Sequence, residues 1–200
     1  MPVDIINKKE AEKLMGIPGK TRGESFRGMI DYIREKSGEE DLKRLEKELN
    51  DLGYPLDFNN IEKLGWYPIG LGGICLTILR RIFNWKDEDF IDMGDSIPKF
   101  SFITKISMGY LSSPHSIFKI APKYWRKYFT VGDMELVEWN EKEKYGILRL
   151  RNFKVQSDHC LFNLGFLRQM GKLAGLKEVT VQETKCPFRG DSYHEFIIRW

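Results

Sequence analysis

Asp158-His-Cys-Leu-Phe-Asn-Leu-Gly-Phe-Leu-Arg-Gln-Met-Gly-Lys-Leu-Ala174 is the stretch on which the fold turns. Leu161, Phe162, Leu164, Leu167, Met170 and Leu173 recur at helical spacing, and Gly175 supplies the stop. The stretch therefore predicts an amphipathic helix with those residues facing inward. On both sides of it the period falls to two. Upstream, Met134 to Trp139 and Gly146 to Phe153 read as strands joined by the charged turn Asn140-Glu-Lys-Glu-Lys. Downstream, Glu178 to Thr184 and Tyr193 to Trp200 read as a second pair, joined by the loop Lys185 to Ser192. The C-terminal part is thus ββαββ.

Between Gly23 and Gly132 the periodic stretches are helical. Phe26, Met29, Ile30 and Ile33 mark one helix, stopped by Gly38, and Leu42, Leu45 and Leu49 mark another from Glu39 to Asp51. Tyr54 to Tyr67 is loop-like, and Ile69 to Trp85 reads as a buried helix. Its glycines Gly70, Gly72 and Gly73 would weaken an exposed helix by up to ~1 kcal/mol each. They fit a place where another backbone or a ligand comes close. Further helices are expected from Lys86 to near Pro98, from Phe100 to Leu111, and from His115 to Phe129 behind the cap Ser112-Ser113-Pro114. The expected fold class is α+β, an N-terminal helical layer packed on a C-terminal four-stranded antiparallel sheet. Residues 1–22 are polar and irregular and read as an N-terminal extension to a single domain spanning 23–200.

The composition is that of a folded domain: 42% hydrophobic, 30% charged, with a formal charge of +3 that is too small to imply nucleic acid. Pro122 to Phe129 mixes bases and aromatics, but at helical spacing the aromatics share a core-facing side. The apolar run Ile69 to Leu79 is too short for a membrane span, and Met1 to Ile5 lacks the pattern of a signal peptide. Cys75, Cys160 and Cys186 are odd in number and far apart, which excludes a secreted disulfide framework and makes the cytoplasm the expected location.

Gly16-Ile-Pro-Gly19-Lys20-Thr21 is a near miss for a phosphate-binding loop, because Leu14 stands where the first glycine belongs. Cys186 and His194 flank the hairpin loop and His159-Cys160 starts the neighbouring helix, so a zinc site could be drawn from these four. The adjacent pair cannot easily both point at one ion. Cys186 and His194, with Cys160, are the candidates, and the bland alternative is a buried thiol and a half-buried strand histidine. His115, in an aromatic-rich helix, is a candidate haem ligand. No nucleophile elbow or HExxH occurs, and an enzyme is not expected.

Gly23-Glu-Ser-Phe-Arg-Gly-Met-Ile-Asp-Tyr-Ile-Arg-Glu-Lys-Ser-Gly38 resembles the opening helix of the haem–nitric-oxide-binding (H-NOX) domains. Gly175-Leu-Lys-Glu-Val-Thr-Val and Cys186-Pro-Phe-Arg-Gly-Asp-Ser-Tyr-His-Glu-Phe-Ile-Ile-Arg-Trp200 resemble the close of 4-vinyl reductase domains. Trp66-Tyr-Pro, Met93-Gly94, Ala121-Pro-Lys-Tyr and Gly165-Phe-Leu are similar to a bacterial family of the same superfamily, which also holds the Bet3-type subunits of the TRAPP tethering complex. The resemblance implies a cavity between helices and sheet that takes haem, an acyl chain or a small apolar ligand, and often a homodimer. Two departures matter. Vinyl-reductase endings usually carry cysteine where His194 stands, and Gly146 to Phe153 lacks the Tyr-x-Ser-x-Arg run that holds haem propionates.

The leading expectation is a non-catalytic domain that binds or senses a small apolar ligand. Its pocket would be lined by Ile74, Leu79, Ile103, Met108, Ile117, Phe118 and Phe166, with Trp66 and Trp125 as walls. The alternatives are a Bet3-like interaction and dimerisation module, and a haem gas sensor through His115.

Overall fold

The computed structural model describes the backbone of residues 6–100 and 113–200, and the side chains of these except 98–100. The expected helix from Phe100 to Leu111, with Ile103 and Met108, lies outside the described residues.

Five helices make the first half: α1 (Lys8–Met15), α2 (Gly23–Ser37), α3 (Glu39–Asp51), α4 (Ile69–Arg81) and α5 (Asp87–Phe100). Their apolar stripes meet in one core, where Ile33, Leu45, Leu49, Ile74, Ile78, Leu79 and Phe90 are wholly buried. Two short helices follow, α6 (Pro114–Lys119) and α7 (Ala121–Tyr128). The second half is β3 (Asp133–Asn140), β4 (Tyr145–Arg151), α8 (Asp158–Leu173), β5 (Thr180–Lys185) and β6 (His194–Arg199). The four strands form one antiparallel sheet in the order β3-β4-β6-β5. Leu148, Leu150, Phe196 and Ile198 line its inner face without exposure, and Leu148 stands opposite Phe196. This is the expected α+β architecture.

The structure departs from the sequence reading in four places, each for a local reason. Residues 6–22 are not irregular. Asn7 and Glu10 form a reciprocal capping box that starts α1, Ile6 and Ala11 are buried in the helical core, and β1 (Lys20–Arg22) pairs with β2 (Trp66–Pro68). The helix from His115 breaks at Ile120, because Pro122 has no N–H to give the Phe118 carbonyl. The helix from Ile69 stops at Arg81, and Asn84 takes a left-handed φ of 55° before Trp85. Finally, α8 is covered on more than one side. Leu173 is 41% exposed, whereas Cys160, Asn163, Gly165 and Gln169 are buried.

The two halves are joined chiefly where α5 lies against α8. Glycines make this approach possible: a Cβ on Gly165 would stand 1.8 Å from the Ile91 carbonyl oxygen, and one on Gly94 would stand 2.0 Å from that of Phe162. Charge fixes the register. Arg168 donates to Asp95 at 3.0 Å, and Arg80 at the end of α4 reaches Asp158 at the start of α8 at 2.6 Å. A methyl group at Gly165 has backbone on its far side and nothing flexible to displace. Gly165→Ala is expected to cost at least ~2 kcal/mol and roughly 5 °C in Tm. Thermal unfolding checks this; an unchanged Tm would mean that the helices are not in backbone contact.

Candidate functional site

Two features share α8. The first is a cluster of ligand-bearing side chains at its N-terminal end. Cys160 lies in the first turn of α8, Glu183 on β5, Cys186 just past β5 and His194 at the start of β6. Glu183 and Cys186 are three residues apart and would face opposite ways in a regular strand. A register shift between Glu183 and Lys185 re-phases β5 and brings both inward. The connecting turn is held by Asp191, whose carboxylate accepts from the Cys186 N–H at 2.8 Å, and by Gly190 at a φ of +100°.

The ligand atoms of Cys160, Glu183, Cys186 and His194 all lie within 4.8 Å of one another. The two sulfurs are 3.5 Å apart, and the Cys160 Sγ is 3.8 Å from the His194 Nδ1. Ligands around a tetrahedral zinc stand roughly 3.3–3.8 Å apart, so this spacing suits that ion. His194 is oriented for ligation: its Nε2 donates to the Phe153 carbonyl at 2.8 Å, which turns Nδ1 toward the cluster. Nδ1 faces the Glu183 carboxylate at 2.8 Å, and two lone-pair atoms that close need a proton or a cation between them. Glu183 is also paired with Arg189 at 3.1 Å. Burial, reinforced by the Glu183 carboxylate, pushes the Cys160 thiol up. The Cys160 thiol therefore resists ionising by itself, and a divalent cation reverses that preference. Cys75 lies apart in the helical core, where burial pushes its thiol up to about 12.

The second feature is a cavity of about 380 Å³ bounded by α2, α4, α5, α6, α7, α8 and the inner face of the sheet. Gly72 and Leu76 line it from α4, Met93 from α5, Met134 and Leu148 from the sheet, and Phe162, Asn163, Phe166 and Met170 from α8. The glycines of α4 differ in what they face, and the close backbone approach expected of them is found at Gly70. A Cβ on Gly70 would stand 2.3 Å from the Leu14 carbonyl oxygen, whereas one on Gly72 would have nothing within 4 Å among the described residues. Gly72 thus opens on empty space inside a buried helix. Charged side chains on the wall (Glu24, Arg27, Asp31, Lys63) come from α2 and the segment before β2, while α8 offers only uncharged polar groups, Asn163 and His159. Burial pushes the His159 imidazole down to about 4.

Of the pocket residues expected from sequence, Ile117, Phe118, Trp125 and Phe166 line this cavity. Ile74 and Leu79 do not: both are sealed in the helical core. Trp66 is 37% exposed on β2, with the Arg22 guanidinium 3.8 Å above its ring. His115 is exposed, stacks on Trp139 at 5.5 Å and is absent from the cavity wall. Ile103 and Met108 lie outside the described residues. Cys160, Cys186 and His194 do converge. Glu183 was missed because strand alternation hides a bulge. Asn163 had a signal, a polar residue set between apolar ones on a helix, that the sequence reading passed over.

No protein-family model matches this chain, and no curated protein does. Solved structures do match. An H-NOX protein from S. oneidensis in the Fe(II)NO ligation state aligns with a TM-score of 0.68 at 12% identity, covering 89% of this chain and 98% of that one. The Fe(II) unliganded H-NOX protein from K. algicida aligns with a TM-score of 0.62 at 14% identity, covering 89% and 95%. The chain therefore has an H-NOX-like fold. Among the described residues no helix is long and apolar enough to cross a membrane.

The cluster yields a prediction. Purified without chelator, the protein is expected to carry about one zinc per chain, which Cys186→Ser removes together with several degrees of Tm. Elemental analysis and thermal unfolding check this. Metal-free protein with an undiminished Tm would assign the cluster to packing alone.

Proposed function

We propose that this domain binds a small, predominantly apolar molecule in the cavity beside α8, as a ligand-sensing domain, with a zinc ion in the Cys160–Glu183–Cys186–His194 cluster bracing α8 against the sheet. The observation that carries this reading is Gly72. A glycine inside a buried helix forgoes roughly 1 kcal/mol relative to alanine, and here no neighbour among the described residues needs its missing side chain. The space it opens is of useful size. An engineered cavity of about 150 Å³ holds benzene, so this larger one suits a bicyclic molecule or a medium-length chain. Its aromatic and aliphatic wall with a few polar groups matches the usual make-up of small-molecule pockets. The rival reading, a Bet3-like interaction module, needs an occluded interior, and the cavity weighs against it.

The fold likeness raises haem, since heme distortion has been probed in the H-NOX family. The residues present do not fit a haem held by His115, which stacks on Trp139 and is not part of the cavity wall. His194 is committed to the Phe153 carbonyl and to the cluster. An absorbance scan of fresh protein tests this: no Soret band is expected, and one would replace the present reading with a haem sensor.

Gly72→Leu places a side chain in the cavity. It is expected to raise stability by about 0.5–1 kcal/mol through helix propensity. The same change is expected to weaken uptake of tetralin, read by isothermal titration calorimetry, by at least about tenfold. Wild-type tetralin affinity in this variant would show that the cavity is not the binding site.

A further inference from the structure

Among the described residues, two buried polar atoms on the cavity wall have no hydrogen-bond partner: Asn163 Nδ2 and, one turn earlier on α8, His159 Nδ1. Asn163 is only 7% exposed, and its Nδ2 is buried without a hydrogen-bond partner. A buried amide donor left unpaired costs on the order of 1–3 kcal/mol, and native proteins seldom leave one so. Leucine would fill the same place on α8 without that cost. The neighbours do not help: Phe162, Phe166, Leu167 and Met170 form the surrounding wall of the same helix. A resident water would need two to four polar partners, and of the α8 wall residues His159 alone could join Asn163 in holding one. Rotation about χ2, a soft torsion in asparagine, swings the amide N–H toward the open side.

We infer that Asn163 is the recognition donor of this pocket, and that the ligand it takes is a neutral apolar molecule carrying a carbonyl-type oxygen acceptor. The inference rests on the proposed pocket and deepens it. A carbonyl supplies the missing acceptor and needs no donor in return. A carboxylate would place a charge against α8, whose polar wall groups, Asn163 and His159, are uncharged, while the cations described on the wall, Arg27 and Lys63, stand on other elements. A bare hydrocarbon would fill the space and leave the N–H unmet. A site built to hydrogen-bond one group discriminates strongly against an analogue that lacks it.

The test uses an isosteric pair, 2-tetralone and tetralin, that differs only by the carbonyl oxygen. Calorimetry on the full chain is expected to show 2-tetralone binding about tenfold tighter than tetralin, the size of one net hydrogen bond. In Asn163→Leu the ratio should fall to about one, with tetralin affinity held within about threefold and Tm unchanged or raised. The carbonyl stretch of 2-tetralone bound to the wild type should also lie below its position in cyclohexane, a readout that does not depend on the variant folding. Equal affinities for the pair, a preference that survives in Asn163→Leu, or an unshifted stretch would each overturn the inference and leave the pocket standing. Failure of both compounds to bind the wild type would overturn the pocket reading, and this inference with it.

Discussion

Helices α5 and α8 touch backbone to backbone, and the rest of the molecule depends on that contact. With Gly94 and Gly165 facing carbonyl oxygens of the opposite helix, the axes approach as closely as side-chain-free surfaces permit. Such a contact has almost no freedom to slide, and the Asp95–Arg168 pair removes what remains. One edge of α8 is thereby given to α5, and its other edges are left for the sheet, the cluster and the cavity. A single sixteen-residue helix is the shared wall of every candidate site.

This arrangement explains why the two features lie together. The first turn of α8 delivers Cys160 to the end of β5 and β6, where a bulge and a tight turn have already gathered Glu183, Cys186 and His194. One turn further, Asn163 looks into the cavity. A cation in the cluster would fix the N-terminal end of α8 to the sheet and keep the cavity from closing by collapse of that helix onto β4. The structural neighbours share the layout at identities near one residue in eight, so it is the packing scheme that the likeness displays rather than the contents of the pocket.

Much of the fold was legible in the sequence. The change of period at Gly132 fixed the order of helices and strands, and the ββαββ close follows from simple alternation. What escaped was set by contacts distant in the chain or by irregular backbone. The capping box at Asn7 is a local signal, but α1 gains its place only by packing on α4. Ile74 and Leu79 look no different from pocket residues until the helical core closes around them. Glu183 reaches the cluster through a bulge that alternation cannot announce, and Leu173 turns outward because α8 is buried by neighbours on several sides rather than along one stripe. The site was therefore half visible: the cysteines and His194 by residue type, the apolar wall by composition, and Asn163 only as a polar residue among apolar ones on its helix.

Ligand binding beside α8 requires a real apolar cavity between Gly72 and that helix. Crystals pressurised with xenon test it most directly, because xenon enters dry apolar cavities and is located by anomalous scattering. The account predicts one or more xenon atoms bounded by Gly72, Leu148 and Phe166, with the helical core around Ile74 and Leu79 empty. Side chains filling that space, or xenon bound elsewhere alone, would contradict it.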